Sequence, residues 1–198
     1  MTGSNRVGAA VGAAGIAFAT VFFVALTTPA RAADDVATKA QVCSACHGQN
    51  GTPVNAVTPI ISGQRGDYLY KELHDYHSGA RDNPVMSPLI KDITLDDLRA
   101  LADYFAAKSW PAQPAADPAA APPEAIAGKI EMCKACHQKN FEGGAPGPRL
   151  AGLNSDYLLA AMNAFADGTR TNNLDMPGFM KVLSQSDRET IAKYLAGL

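Results

Sequence analysis

Cys43-Ser44-Ala45-Cys46-His47 and Cys133-Lys134-Ala135-Cys136-His137 are the two stretches of this 198-residue chain whose residue types and spacing define a chemistry, and they use all four cysteines. In each, two thiols one helical turn apart can add as thioethers across the vinyl groups of a haem. The imidazole that follows directly is then placed under the iron as its first axial ligand. The rival readings of Cys-x-x-Cys lack support. A structural zinc site wants its remaining ligands roughly 12 to 20 residues further on, whereas 86 residues separate Cys46 from Cys133. A thioredoxin-like redox pair wants a strand-helix-strand setting, and no strand pattern flanks either motif. Disulfides would leave the twice-repeated histidine without a purpose.

A haem iron also needs a sixth ligand, or an open site. Four of the six methionines, Met1, Met132, Met162 and Met180, have no methionine counterpart in the other half. Met86 and Met176 match each other, and the 39-residue span from His47 to Met86 equals that from His137 to Met176. They are the candidate sixth ligands, with Met180 as the fallback in the second half. A thioether is soft and neutral and favours ferrous iron, which suits a carrier on the oxidising side of a respiratory chain. His74 and His77 compete at the first iron, but they align with Asn163 and Ala166 and fall on a predicted amphipathic helix, as surface or interface histidines do.

The elements that must position these groups come in two copies. Residues 34–47 and 124–137 each lead as a short helix into the haem motif, opened by Asp34-Asp35 and by Pro122-Pro123-Glu124. Turn-rich loops follow, Gly48 to Gly51 and Gly143 to Gly147. Pro59 then pairs with Pro148, Gly63 with Gly152, Asp67-Tyr68-Leu69 with Asp156-Tyr157-Leu158, and Arg81 with Arg170, all 89 residues apart. Tyr68, Leu69, Leu73 and Tyr76 recur at helical spacing behind Asp67, the expected cap, and read as core. A one-residue shift brings Met86 and Met176 into register. Thr94 to Asp97 and Ser184 to Asp187 open the last helix of each copy as capping boxes.

The chain divides into an export segment, 1–32, a first domain, 33–110, an Ala/Pro-rich linker, 111–123, and a second domain, 124–198. The first segment has Arg6, an uncharged run from Val7 to Leu26 and the small-x-small sequence Ala30-Arg31-Ala32, as a cleaved signal does. The run is also long enough to span a bilayer, so retention as an anchor is the alternative. With segment 1–32 removed, 15 basic residues face 19 acidic ones, which argues against a nucleic-acid partner.

On Cys43, Cys46, His47 and Met86, then Cys133, Cys136, His137 and Met176, with Gly-Pro-x-Leu-x-Gly at 147–152, the chain resembles the dihaem cytochrome c4 group of the class I c-type cytochromes. The resemblance covers nearly all of residues 34–198. It implies an all-α chain of two tandem class I cytochrome c domains, each wrapped around one covalently attached haem, that shuttles electrons in the periplasm. It also implies that Pro148, and by repeat Pro59, offers a backbone carbonyl to the outer nitrogen of the histidine. Here the first copy departs from the pattern, reading Thr58-Pro59-Ile60-Ile61-Ser62-Gly63. Arg81 and Arg170 are candidates to neutralise haem propionates, or else solvent-facing arginines.

The expected function is single-electron transfer between periplasmic or membrane-bound redox proteins, such as a quinol-oxidising complex, a terminal oxidase or a dehydrogenase. Membrane contact is peripheral unless the N-terminal segment is retained. The first alternative is the electron-accepting subunit of a dehydrogenase complex of flavocytochrome type. The second is a small haem enzyme with an open iron, against which the paired methionines argue.

Overall fold

The computed structural model describes residues 1–3, 8, 30–49, 51–111, 117 and 120–198. The export segment expected over 1–32 lies almost wholly outside these, as does most of the linker. Within them, the only regular elements are helices: α1 (Ala30–His47), α2 (Gly66–Ser78), α3 (Met86–Ile90), α4 (Leu95–Ala106), α5 (Glu124–His137), α6 (Ser155–Asp167), α7 (Met176–Lys181) and α8 (Gln185–Ala196). The first four and the last four repeat one plan. Among the described residues no helix is long and apolar enough to cross a membrane.

In each half, the helix that ends in the haem-motif histidine packs against the last helix. The spacing makes this possible: Ile126, Ile130, Cys133 and His137 fall at steps of three and four, on one stripe of α5, and Val36, Ala40, Cys43 and His47 do the same on α1. Ile126 and Ile130 are fully buried, as is Ala40. From the facing helix, Leu98, Leu101, Ala102 and Phe105 of α4, and Ile191, Ala192 and Leu195 of α8, fill the cores. An ion pair crosses each contact at the same place, Lys39 with Asp97 at 2.7 Å and Lys129 with Asp187 at 2.6 Å. Short bonds from Gly63 N–H to Phe105 O and from Gly152 N–H to Leu195 O, both 2.9 Å, tie each proline loop to the end of the same last helix.

Local expectations hold at the last helices. Thr94 accepts from Asp97 N–H at 3.2 Å, and Ser184 with Asp187 forms a reciprocal capping box. The Thr94 cap is one-sided, its Asp97 carboxylate going instead to Lys39. Two other expectations need correction. Asp67 does not cap α2; the helix begins at Gly66 after Arg65, and Asp67 sits in the first turn, where its charge faces the positive end of the helix. Helix α1 begins at Ala30, ahead of Asp34-Asp35, and Asp35 instead pairs with Lys39 one turn on, at 2.7 Å.

Two of the linker's described residues are held by the second half. Asp117 N–H donates to Gly197 O at 2.7 Å and Tyr194 Oη donates to Ala120 O at 3.1 Å. Ile60 from the first half lies 2% exposed in the second half's core, with Trp110 packed beside it. The two halves therefore share an apolar seam.

Candidate haem-binding sites

Each site is built on the last turn of α1 or α5. His47 and His137 are both 7% exposed, and each Nδ1–H donates to a proline carbonyl, Pro59 O and Pro148 O, at 2.8 Å in both cases. Because a carbonyl can only accept, this bond assigns the proton to Nδ1 and leaves the Nε2 lone pair free for a metal. Burial holds both imidazoles below the ordinary histidine range, so they stay neutral, as a ligand must. The proline role expected at both positions is present at both.

The two loops reach this bond differently. In the second half, Gly147 passes so close behind the histidine that a Cβ there would lie 2.5 Å from Cys136 O and 3.0 Å from His137 Nδ1. In the first half, Thr58 occupies the equivalent place. That loop is one residue longer, and Asn55 Oδ1 accepts from Thr58 N–H and Thr58 Oγ1, each at 2.9 Å.

The four cysteines are unpaired. Burial raises the thiol of Cys43 and pushes that of Cys133 up to about 11, the reverse of the acidic thiol of a dithiol redox pair. Among the described residues no cluster of three or more His, Cys, Asp or Glu side chains could hold a metal ion. The donor set thus fits a porphyrin attached through sulfur and ligated by one histidine, and it does not fit zinc.

Met86 and Met176 occupy equivalent places, each the first residue of a short helix, α3 and α7. Both are half-buried. Met180 is 3% exposed inside the second core, the place Ile90 fills in the first. His74 is exposed and His77 half-buried on α2.

Between the two halves lies a charged cluster that sequence reading saw only in part. Arg170 is buried and Arg81 mostly covered, one from each half, neither of them facing solvent, and both engage Glu72: Arg81 Nη1 donates to its Oε2 and Arg170 Nη2 lies 2.9 Å from its Oε1. Asn172 reaches across to Glu72 at 3.0 Å and to Asp75 at 2.6 Å, and Lys71 donates to Asn172 O at 2.7 Å. Burial raises the Tyr68 hydroxyl, next to Tyr157 and Glu72, and pushes Tyr76 up to about 12. Burial works against the Arg81 charge, but Tyr157 and Glu72 more than offset it and hold the guanidinium protonated. Glu72 aligns with Ala161, so the repeat itself gave no signal for this bridge. A second crossing is reciprocal: Gln64 Nε2 donates to Arg149 O at 2.9 Å and Arg149 N–H to Gln64 Oε1 at 2.8 Å.

Two haem-attachment motifs in an all-helical chain define a dihaem c-type cytochrome, an electron-transfer protein with two covalently bound haems. Residues 129–198 match the Cytochrome c family model. Over 187 residues the chain is 35% identical to cytochrome c4 of Pseudomonas aeruginosa, spanning 87% of this chain and 93% of that protein. It is 33% identical to a thiosulfate dehydrogenase electron acceptor of Stutzerimonas stutzeri, spanning 80% of each. The crystal structure of reduced recombinant cytochrome c4 from Pseudomonas stutzeri superposes with a TM-score of 0.72 at 29% identity, over 84% of this chain and 98% of that one. The chain belongs to the cytochrome c4 family.

Proposed function

We propose that the protein is an exported carrier of single electrons whose irons are each held between a histidine and a methionine, His47 with Met86 and His137 with Met176. The observation that carries this reading is the pair of equal His–Pro bonds. They aim a neutral nitrogen into each site from one side, while the repeat supplies a methionine at the same span and the same helix start on both halves. The haem, when bound, supplies the ferrous/ferric couple. The chain's own residues do the rest: Cys43, Cys46, Cys133 and Cys136 hold the group, Pro59 and Pro148 orient the imidazoles, and the apolar cores keep water away.

In this reading segment 1–32 directs export and the carrier works in the periplasm, exchanging electrons with membrane-bound or periplasmic redox proteins. The likeness to a thiosulfate dehydrogenase electron acceptor supports a second reading, in which the donor is a catalytic dehydrogenase that binds this chain as its acceptor. Co-purification of a larger catalytic chain would favour that version.

The test is the optical spectrum of the haem-loaded protein. Low-spin six-coordinate iron at both haems is expected, with Met86→Ala and Met176→Ala each removing one share of the sulfur-to-iron charge-transfer band. A high-spin haem in the unaltered protein, or a band that neither substitution changes, would overturn it.

A further inference from the structure

Both methionines are preceded at three residues by an asparagine, Asn83 and Asn173, and both asparagines do the same work. Asn83 Oδ1 accepts from Val85 N–H at 2.9 Å and from Met86 N–H at 3.0 Å. Asn173 Oδ1 accepts from Asp175 N–H at 3.0 Å and from Met176 N–H at 2.9 Å. The residues flanking the helix starts, Val85 and Asp175, make no side-chain cap of their own. The asparagine therefore satisfies two amide donors that the first turn leaves without partners, one of them the methionine's own.

The clasps are not equal. In the first half, Asn83 is bound a second time: its N–H donates to Ser87 Oγ at 2.9 Å, its carbonyl accepts from Ser87 N–H at 3.0 Å, and Ser87 Oγ donates to Asp82 Oδ1 at 2.7 Å. The second half has Pro177 in place of Ser87, which offers neither hydroxyl nor N–H. Its backbone bonds run instead from Gly178 N–H and Phe179 N–H to Asp175 O, at 3.0 and 3.3 Å, and bypass Asn173.

We propose that Asn83 and Asn173 are the positioning residues of the methionine ligands, and that the single clasp on Met176 makes the second haem the one whose sulfur is more readily displaced. This rests on Met86 and Met176 being the sixth ligands. Removing the amide oxygen leaves two backbone N–H groups without acceptors and frees the turn that carries the methionine, so a competing ligand meets an iron whose sulfur departs more often.

The test uses full-length, haem-loaded ferric protein titrated with imidazole, followed through loss of the sulfur-to-iron band. Asn173→Ala is expected to tighten imidazole binding at the second haem about tenfold, and Asn83→Ala at the first about threefold, since the Ser87 contacts remain. Asn→Asp at either place keeps the acceptor and is expected to stay within about twofold of the unaltered protein. Alanine variants that keep the band and bind imidazole as the unaltered protein does would overturn the proposal. A band missing from the unaltered protein would instead overturn the methionine reading. Should an alanine variant fail to load haem, Ser87→Ala decides: tighter binding by about threefold at the first haem is expected, and no change overturns the difference between the halves.

Discussion

The two halves of this cytochrome place their histidines identically and are joined through a carboxylate that the repeat does not copy. Each imidazole donates to a proline carbonyl at 2.8 Å, although one loop reaches that proline through Thr58 and the other through Gly147. Each pair of crossed helices is pinned by a lysine and an aspartate at matching places. Features that serve the haem recur whatever the loop does. The interface, by contrast, turns on Glu72, which faces both Arg81 and Arg170 and has an alanine in its place in the second half. Duplication supplied two pockets, and a single acidic side chain on one of them supplied much of their polar connection.

Breaking that asymmetry should have the largest effect. Glu72→Ala strands Arg81 and Arg170 in a site where each is at least four-fifths covered; a loss of about 4 kcal/mol is expected, because an uncompensated buried charge is costly. Thermal or denaturant unfolding of the haem-loaded protein checks it. A loss well under 1 kcal/mol would mean that the cluster contributes no coupling between the halves.

The loops provide the next contrast. Gly147→Ala drives a methyl group into Cys136 O and the ring that it must leave in place, and a cost of about 3 kcal/mol with poor haem loading at the second site is expected. Thr58→Ala, at the equivalent place in the longer loop, should cost about 0.5 kcal/mol and load normally. Haem content against protein content, with melting curves, separates the two.

The smallest effect concerns the matched ion pairs. Lys129, with help from the Ser184 cap, holds the Asp187 carboxyl down at about 2. An acid whose folded value is depressed contributes stability above its unfolded value of about 4, and that contribution fades as pH falls toward 2. Lys129→Met should therefore shrink the difference in melting temperature between pH 5 and pH 2.5. Lys39→Met should do the same through Asp97, whose carboxyl Lys39 likewise lowers. A variant with the full difference retained would place the acid sensitivity elsewhere. Both pairs lie at the surface with their lysines open to solvent, so salt should weaken both effects.

Much of this was legible in the amino-acid order because it is local. The thioether cysteines and their histidine fit within one helical turn. The stripes through Ile126, Ile130 and Cys133 and through Leu98, Leu101 and Phe105 follow the helical period, and the Thr94 and Ser184 caps act within three residues. The methionines proposed as sixth ligands could be singled out only because the chain repeats itself, which turned a long-range relation into a comparison of two spans. Asp67 was misjudged for a related reason: a carboxylate in the first helical turn and one at the cap look alike in sequence, and backbone angles decide between them.

What the sequence by itself determined, then, is the number of haems, the residues that bind them covalently, and the helices that carry those residues, since each depends on side chains a few positions apart. Tertiary structure alone decided that Arg81 and Arg170 turn inward, that Gln64 and Arg149 clasp each other across 85 positions, and that Asn172 crosses to Glu72 over 100. Such contacts have no period to read. Which charge meets which is settled only when two packed cores bring distant surfaces together and exclude the water that would otherwise solvate them.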